Sequence, residues 1–351
     1  MSQTAKPSVR HPSLEVNKLG LTQRDYEGSM STLCAGCGHD SITASLVQAF
    51  FELEIEPHKV AKLSGIGCSS KTPAYFLQEA HGFNSVHGRM PSIATGANAA
   101  NRGMTYIGVS GDGDSLSIGL GQLCHAIRRN IDMLYIIENN GVYGLTKGQF
   151  SASADVGTKA KKGEENRMGP IDAIALAMSL GASFVGRSFS GDKGQLVPLI
   201  KAGLSHKGFA LLDVISPCVT FNDHEGSTKS YRYTRDHLQE VVEADFIPLL
   251  HQITAEQSSG NVTSVPMHDG SIVNLRPVAE EYDPTDRDKA YAYIAERQAE
   301  GEVATGLLYI EEGSQDIHSF ENTVTEALVD LPFEEVCPGN DTLQELQKQW
   351  R

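Results

Sequence analysis

Two short stretches hold oxygen donors where a phosphate-bound cation would use them. Gly111-Asp112-Gly113-Asp114 follows the apolar run Tyr106-Ile107-Gly108-Val109 and opens a helical pattern. Asn139-Asn140-Gly141-Val142 follows the next apolar run, residues 131–137. Glycine allows backbone N–H groups to approach a phosphate closely. One helix and one strand separate the two stretches, which sets Asp112 and Asn140 side by side at adjacent strand ends. A carboxylate, an amide oxygen and a backbone carbonyl make half of a hard oxygen shell, and phosphate oxygens with a water complete the octahedron that Mg²⁺ demands. Other readings of these glycines fail. A dinucleotide G-x-G-x-x-G needs glycine where Leu116 stands, and no Walker A loop is present. A calcium loop starting at Asp112 needs glycine and glutamate where Ser117 and Leu123 stand.

The paired stretches resemble the G-D-G…N-N signature of thiamine diphosphate enzymes. A second chemistry sits in the cysteines. Cys34-Ala35-Gly36-Cys37 is a C-x-x-C, open by itself to half a zinc site, a redox pair or an iron–sulfur fragment. No clear strand precedes it and no aromatic residue flanks it, which weakens a thioredoxin-like role. Cys68 and Cys218 stand alone in sequence, each in a turn at the end of an expected strand, on the same sheet edge as the phosphate loop. Four thiolates meeting there suit a 4Fe–4S cluster; zinc and scattered core thiols stay open on spacing alone. Cys124 falls inside a helix and reads as a small buried hydrophobe, and Cys337, beside Pro338, as a free thiol.

The elements that position these residues follow from apolar periodicity. Helices are expected over 40–53 (capped by Asp40 or Ser41), 91–102, 115–129, 171–180 and 192–205, and strands over 60–63, 106–109, 131–137, 184–187 and 209–215. This βαβ alternation predicts an α/β fold with a doubly wound, mostly parallel sheet and ligands at the strand C-termini. Three regions are expected: an N-terminal arm over 1–30, a cofactor-binding domain over 31–230, and a C-terminal extension over 231–351. The alternation stops after about Pro217, residues 258–270 read as a linker or long loop, and polar helices are expected over 288–301 and 321–331. The loop 150–169, with Gly157, Lys159, Lys161 and Lys162, reads as a mobile segment beside the cofactor site.

Composition bounds the remaining possibilities. The chain has 351 residues, 40% of them hydrophobic and 21% charged, enough for a sizeable core. Its formal net charge of −15 argues against nucleic-acid or polybasic membrane binding. No apolar run approaches the ~20 residues of a membrane span, and 1–28 lacks the pattern of a signal peptide. Six cysteines in so long a chain do not make a secreted disulfide framework, so the cytoplasm is the expected location.

Five motifs in order, Cys34-Ala-Gly-Cys37-Gly-His39, Gly65-Ile-Gly-Cys68-Ser-Ser-Lys71, His87-Gly-Arg89, Gly111-Asp-Gly-Asp114 and Tyr143-Gly-Leu-Thr-Lys147-Gly-Gln149, resemble the β subunit of 2-oxoacid:ferredoxin oxidoreductases over about residues 30–230, most closely the 2-oxoglutarate type. The resemblance implies the diphosphate-binding half of a thiamine diphosphate fold with three cofactors: thiamine diphosphate, Mg²⁺ and a 4Fe–4S cluster. Cys34, Cys37, Cys68 and Cys218 become the cluster ligands, and Asp112, Asn140 and the Val142 carbonyl the Mg²⁺ ligands. Gly111, Gly113, Asp114, Tyr143, Gly144, Leu145 and Thr146 line the diphosphate and thiazolium, with His87 as a second diphosphate contact. Lys71 with Leu145, or Lys147, senses the tail of a dicarboxylic 2-oxoacid.

The implied reaction is CoA-dependent oxidative decarboxylation of 2-oxoglutarate to succinyl-CoA and CO₂, with electrons leaving through the cluster to ferredoxin; the reverse, CO₂-fixing direction is also open. Only one α/β half is visible, so a separate α subunit is expected to supply the pyrimidine-binding domain and its activating glutamate, in an α2β2 assembly. An acidic ferredoxin would need a local basic patch on this acidic chain. Two other readings stay open: the thiamine half of a non-redox split 2-oxoacid decarboxylase, and a zinc-stabilised interaction subunit.

Overall fold

A computed structural model describes residues 11–159, 163–247, 262–277 and 282–350. The chain builds strand β1 (Val60–Ser64), β2 (His81–Asn84), β3 (Thr105–Gly111), β4 (Met133–Asn139), the small hairpin β5 (Val142–Tyr143) and β6 (Gln149–Phe150), β7 (Phe184–Phe189), β8 (Phe209–Ile215), β9 (Leu238–Ile247), β10 (Thr263–Pro266), β11 (Ile272–Pro277) and β12 (Val303–Ile310). The helices are α1 (Gly38–Glu52), α2 (Met90–Ala100), α3 (Leu120–Arg129), α4 (Ala173–Ser179), α5 (Lys193–Ser205), α6 (Tyr231–His237), α7 (Arg287–Ala299), α8 (Ile317–Glu321), α9 (Phe333–Val336) and α10 (Gly339–Lys348). Ten strands form one sheet in the order β10-β11-β9-β12-β7-β8-β4-β3-β1-β2. From β7 to β2 every neighbouring pair is parallel.

Every residue of β1, β4, β7 and β8 is buried, as required of parallel strands covered by helices on both faces. Their apolar runs supply one continuous core, with Phe50, Ile107, Tyr135, Phe184 and Phe209 fully enclosed. Local signals agree with this placement. Asp172 and Asp192 cap α4 and α5 by accepting backbone N–H bonds, and Pro91 lies in the first turn of α2. Among the described residues no helix is long and apolar enough to cross a membrane.

Several elements differ from the sequence expectation. Helix α1 starts at Gly38, directly after extended Cys37, so neither Asp40 nor Ser41 caps it. The helix expected over 115–129 is split into an over-wide π turn, Gly113–Ile118, followed by α3; such turns concentrate at functional sites. The alternation does not end at Pro217. β12 joins the sheet antiparallel to β7, with β9 parallel beside it and the β10–β11 hairpin beyond. Part of the stretch expected as a linker is therefore strand, and its residues 258–261 lie outside the described ones. No helix spans 321–331: α8 ends at Asn322 in the left-handed conformation, and a single 3-10 turn, Leu328–Asp330, precedes Pro332. The described part of the arm packs on its own chain. Tyr26 is fully buried, and the backbone of Tyr26, Gly28 and Ser29 pairs with residues 74–77.

Candidate functional site

Four adjacent parallel strands, β8, β4, β3 and β1, end on the same edge of the sheet. The loops leaving them carry Pro217–Cys218, Asn140–Val142, Asp112–Asp114 and Gly65–Cys68, so residues far apart in sequence share one rim. A cavity of about 80 Å³ opens there, lined by His87, Asp112, Asp114, Asn140, Val142, Tyr143, Leu145, Thr146 and Cys68, and at its base by His39 and Glu138. The glycines at 111, 113 and 144 line it as well.

Asp112 is buried, and burial pushes its carboxyl above the usual range, opposed by hydrogen bonds from Ser151 and Ser153, the Asn140 N–H and the charge of Lys229. Both serine hydroxyls donate to Oδ2, Ser153 at 2.7 Å. Among the described residues the other oxygen, Oδ1, meets only the distant Asn140 N–H at 3.4 Å. Asn140 Oδ1 accepts the Val142 N–H at 3.1 Å, and the Asn140 carbonyl accepts from Asn222 at 2.7 Å. These contacts hold a carboxylate oxygen and an amide oxygen beside each other with lone pairs to spare, an all-oxygen donor set that fits Mg²⁺.

Asp114 is used differently. Its Oδ1 accepts from Gly88 N at 2.7 Å and Ile66 N at 3.1 Å and meets His87 Nδ1, while Oδ2 accepts from Ser110 at 2.6 Å. It ties three loops together and fixes His87, whose ring stands edge-on to Tyr143 at 5.9 Å. The Tyr143 hydroxyl donates to the Gly113 carbonyl at 2.9 Å, and a Cβ on Gly113 would lie 2.5 Å from the tyrosine ring. Packing against Tyr143 is therefore sufficient reason for glycine at 113.

All four cysteines of the sulfur motif are free thiols, Cys34 exposed and the other three half-buried. They are electrostatic neighbours: Cys218 acts on Cys37 and Cys68, and Cys34 on Cys68 and Cys218. Burial raises Cys37 to about 12, and Cys68 and Cys218 also rise, mainly through burial. The loops are stitched together by Gly38 N to Pro217 O at 3.4 Å and Tyr231 Oη to Gly36 O at 2.9 Å. A Cβ on Gly144 would lie 3.4 Å from Cys68 Sγ and 3.7 Å from Cys218 Sγ, so the hairpin that lines the cavity also faces two of the thiols. Among the described residues no three His, Cys, Asp or Glu side chains converge to hold a single ion. A four-thiol set spread over several loops instead fits a cluster with one cysteine to each iron.

Not every expected residue reaches the cavity. Lys71 sits beside Cys68 with Nζ 3.4 Å from Thr32 Oγ1, and Lys147 is exposed; neither lines it. Leu145 does, while remaining half-exposed. The loop expected to be mobile is anchored in its described part: Ser151, Ser153, Ala154 and Thr158 are buried, and Asn166 donates to the carbonyls of Ala154, Asp155 and Met168. Lys161 and Lys162 lie outside the described residues. Sequence reasoning passed over Ser151, Ser153, Glu138 and Ser216. The one available signal was Glu138, a charged residue closing the apolar run Leu134-Tyr135-Ile136-Ile137.

Fold and site together define a thiamine diphosphate-binding unit, and comparison with known proteins agrees. Residues 65–214 match the family described as thiamine pyrophosphate enzyme, C-terminal TPP binding domain. The chain is 44% identical over 199 residues to the 2-oxoacid:ferredoxin oxidoreductase subunit beta of Saccharolobus solfataricus, a match covering 56% of this chain and 65% of that one. It is 38% identical over 192 residues to the 2-oxoglutarate synthase subunit KorB of Methanocaldococcus jannaschii, covering 54% of this chain and 69% of that one. The match thus spans just under two thirds of the Saccharolobus subunit. A solved structure of 2-oxoglutarate:ferredoxin oxidoreductase from Magnetococcus marinus, with 2-oxoglutarate, coenzyme A and succinyl-CoA bound, superposes with a TM-score of 0.72 at 27% identity, over 93% of this chain and 96% of that one. The chain belongs to the family of 2-oxoacid:ferredoxin oxidoreductase β subunits.

Proposed function

We propose that the chain is the β subunit of an enzyme that oxidatively decarboxylates 2-oxoglutarate with coenzyme A, giving succinyl-CoA and CO₂ and passing electrons through a 4Fe–4S cluster to ferredoxin, in either direction. One observation carries this reading: the Val142–Thr146 stretch lines the oxygen-donor cavity and, at Gly144, packs against Cys68 and Cys218. A non-redox lyase has no use for thiols at that place.

In this reading Asp112, Asn140 and the Val142 carbonyl hold Mg²⁺, and Cys34, Cys37, Cys68 and Cys218 hold the cluster. Thiamine diphosphate, when bound, supplies a carbon nucleophile and an electron sink for the decarboxylation. The protein's own part is placement. Ser151 and Ser153 fix the Asp112 rotamer and leave Oδ1 toward the cation. Asp114 holds His87 at the cavity mouth, where its ring can meet the diphosphate. Leu145 at the cavity, and Lys71 beside Cys68, meet the tail of the 2-oxoacid. Buried Val142 and half-buried Tyr143 keep water from the reacting end.

A separate α subunit supplies the pyrimidine-binding domain and its glutamate, in an α2β2 assembly in the cytoplasm. The described tail supports a partner chain: Phe320, Val329, Phe333, Leu343, Leu346 and Trp350 are all exposed, apolar side chains that a partner would cover. The test is iron and acid-labile sulfide per chain on anaerobically purified protein, with EPR after dithionite reduction and an assay with the α subunit, 2-oxoglutarate and coenzyme A. About four irons with a reduced-cluster signal and CoA-dependent acceptor reduction are expected. Intact protein without iron overturns the redox reading, and zinc in its place points to a structural role for the thiols.

A further inference from the structure

Beneath the two halves of the site lies a buried polar knot that the proposed reaction does not use. Glu138, fully buried at the end of β4, accepts from Thr72 Oγ1 at 3.0 and 3.1 Å through its two oxygens. His39 Nδ1 lies 3.4 Å from Glu138 Oε2 and 2.6 Å from Ser216 Oγ. All four residues are buried. A Cβ on Gly38 would lie 2.6 Å from Ser216 Oγ, so the start of α1 is pressed against the knot.

The placement of its members is the point. His39 stands two residues after Cys37, Ser216 two before Cys218, Thr72 four after Cys68, and Glu138 two before Asn140. Side chains beside four of the donor-bearing segments thus meet: the hydrogen-bonded pairs Thr72–Glu138 and His39–Ser216 are joined where His39 Nδ1 faces Glu138 Oε2 at 3.4 Å. Such a network is over-determined: moving one loop leaves a buried polar group unpaired, which is expensive away from water. A shift of the thiol loops is therefore felt at Asn140, and the reverse.

We propose that Glu138, Thr72, His39 and Ser216 are positioning residues that couple the thiol set to the oxygen set, so that filling the diphosphate site tightens the hold on the iron cluster. The inference rests on the reading of the two sites given above. Coupling between sites is reciprocal, and typical values change affinity about fivefold or more.

The test uses the complex with its α subunit. Release of iron to a chelator under anaerobic conditions is followed by loss of visible absorbance, with and without Mg²⁺ and thiamine diphosphate, alongside the EPR spectrum of the reduced cluster. In the wild type the cofactor slows release about fivefold. In Thr72→Val, which keeps shape and loses the hydroxyl, that protection disappears and the EPR line shape stops responding to the cofactor. Thr72→Ser restores both, and Ser216→Ala behaves as Thr72→Val does. Wild-type protein that holds iron and binds the cofactor yet releases iron at one rate in both conditions overturns the coupling and leaves the proposed function standing. Protection retained in both Thr72→Val and Ser216→Ala overturns the assignment to these residues. Wild-type protein without iron overturns both readings.

Discussion

The oxygen side and the sulfur side of the site are built on opposite plans. On the oxygen side, Asp112 is enclosed and accepts two serine hydroxyls, and Asp114 is saturated by His87, Ser110 and two backbone N–H groups. On the sulfur side Cys34 is exposed, and burial raises Cys37, Cys68 and Cys218, favouring the neutral thiols. One half is held by hydrogen bonds in advance. The other becomes a ligand set only when a metal centre displaces its protons. On the proposed reading, the difference teaches how two unlike cofactors share one rim: the exchangeable one meets a finished cradle, and the inorganic one finishes its own.

The sharpest way to break this comparison is to remove one donor from each side. Asp112→Ala should weaken Mg²⁺-dependent thiamine diphosphate binding, measured calorimetrically, by more than about 100-fold, beyond what loss of a mere supporting residue costs. Iron content should survive. Cys68→Ser should do the reverse, with iron per chain falling from about four to near zero and cofactor still bound. Loss of iron in Asp112→Ala as purified would show that the sulfur side does not stand without its neighbour.

The next effect tests whether the oxygen cradle depends on the serines. Ser153 donates to Asp112 and lies 2.9 Å from Asn139 Oδ1, and Asn139 in turn donates to Asp213, the partner of Arg187. Ser153→Ala should weaken cofactor binding about 10- to 100-fold, the usual range for a residue that orients a ligand, and Ser153→Thr should recover most of it. Equal affinity in wild type and alanine variant would mean that Asp112 needs no help to face the cation.

Asp112 and Asn140 are legible in the sequence because each follows an apolar run, and a polar group at the end of a buried parallel strand has only the rim to occupy. The cysteines are legible as a set, since all lie in turns. Ser151 and Ser153 are not, because a serine in a loop carries no period and takes its role from the side chain it meets. Glu138 is visible as a charge closing an apolar strand, but its partners Thr72 and His39, and Ser216 behind His39, come from three other segments. In the fold, β4 and β8 follow from unbroken apolar runs. β9 does not: it carries Glu240, Glu243 and Asp245 on a strand far from the parallel centre, where one side reaches solvent. The helix expected over 321–331 fails for a local reason, the left-handed Asn322 that ends α8.

A smaller effect probes the sulfur side without iron. Burial holds Cys37 near 12, and a thiol is nucleophilic only as the thiolate. In iron-free protein, alkylation of Cys37 should be slow at neutral pH and still climbing at about pH 10, where an unperturbed thiol has already levelled off. Mass spectrometry of labelled peptides separates it from exposed Cys34. A plateau for Cys37 by about pH 9 would mean that the thiol side forms thiolates without a metal, and the contrast between the two halves would go.

The smallest effect concerns the lysines at the edge of both halves. Lys147 is exposed, lies outside the cavity and has a left-handed backbone with φ 78°. Lys147→Gly suits that conformation, so the fold should hold. With the charge so open to water, KM for 2-oxoglutarate should move less than about twofold. Lys71 sits between Cys68 and Thr32, close enough for its charge to lower the Cys68 thiol somewhat against the effect of burial. If it meets the distal carboxylate of the substrate, Lys71→Met should raise KM for 2-oxoglutarate about tenfold, the worth of one hydrogen bond to a charged group, and leave pyruvate unchanged. Equal changes for both acids would give Lys71 to the cluster alone, as a charge beside Cys68, and leave Leu145 to read the substrate by shape.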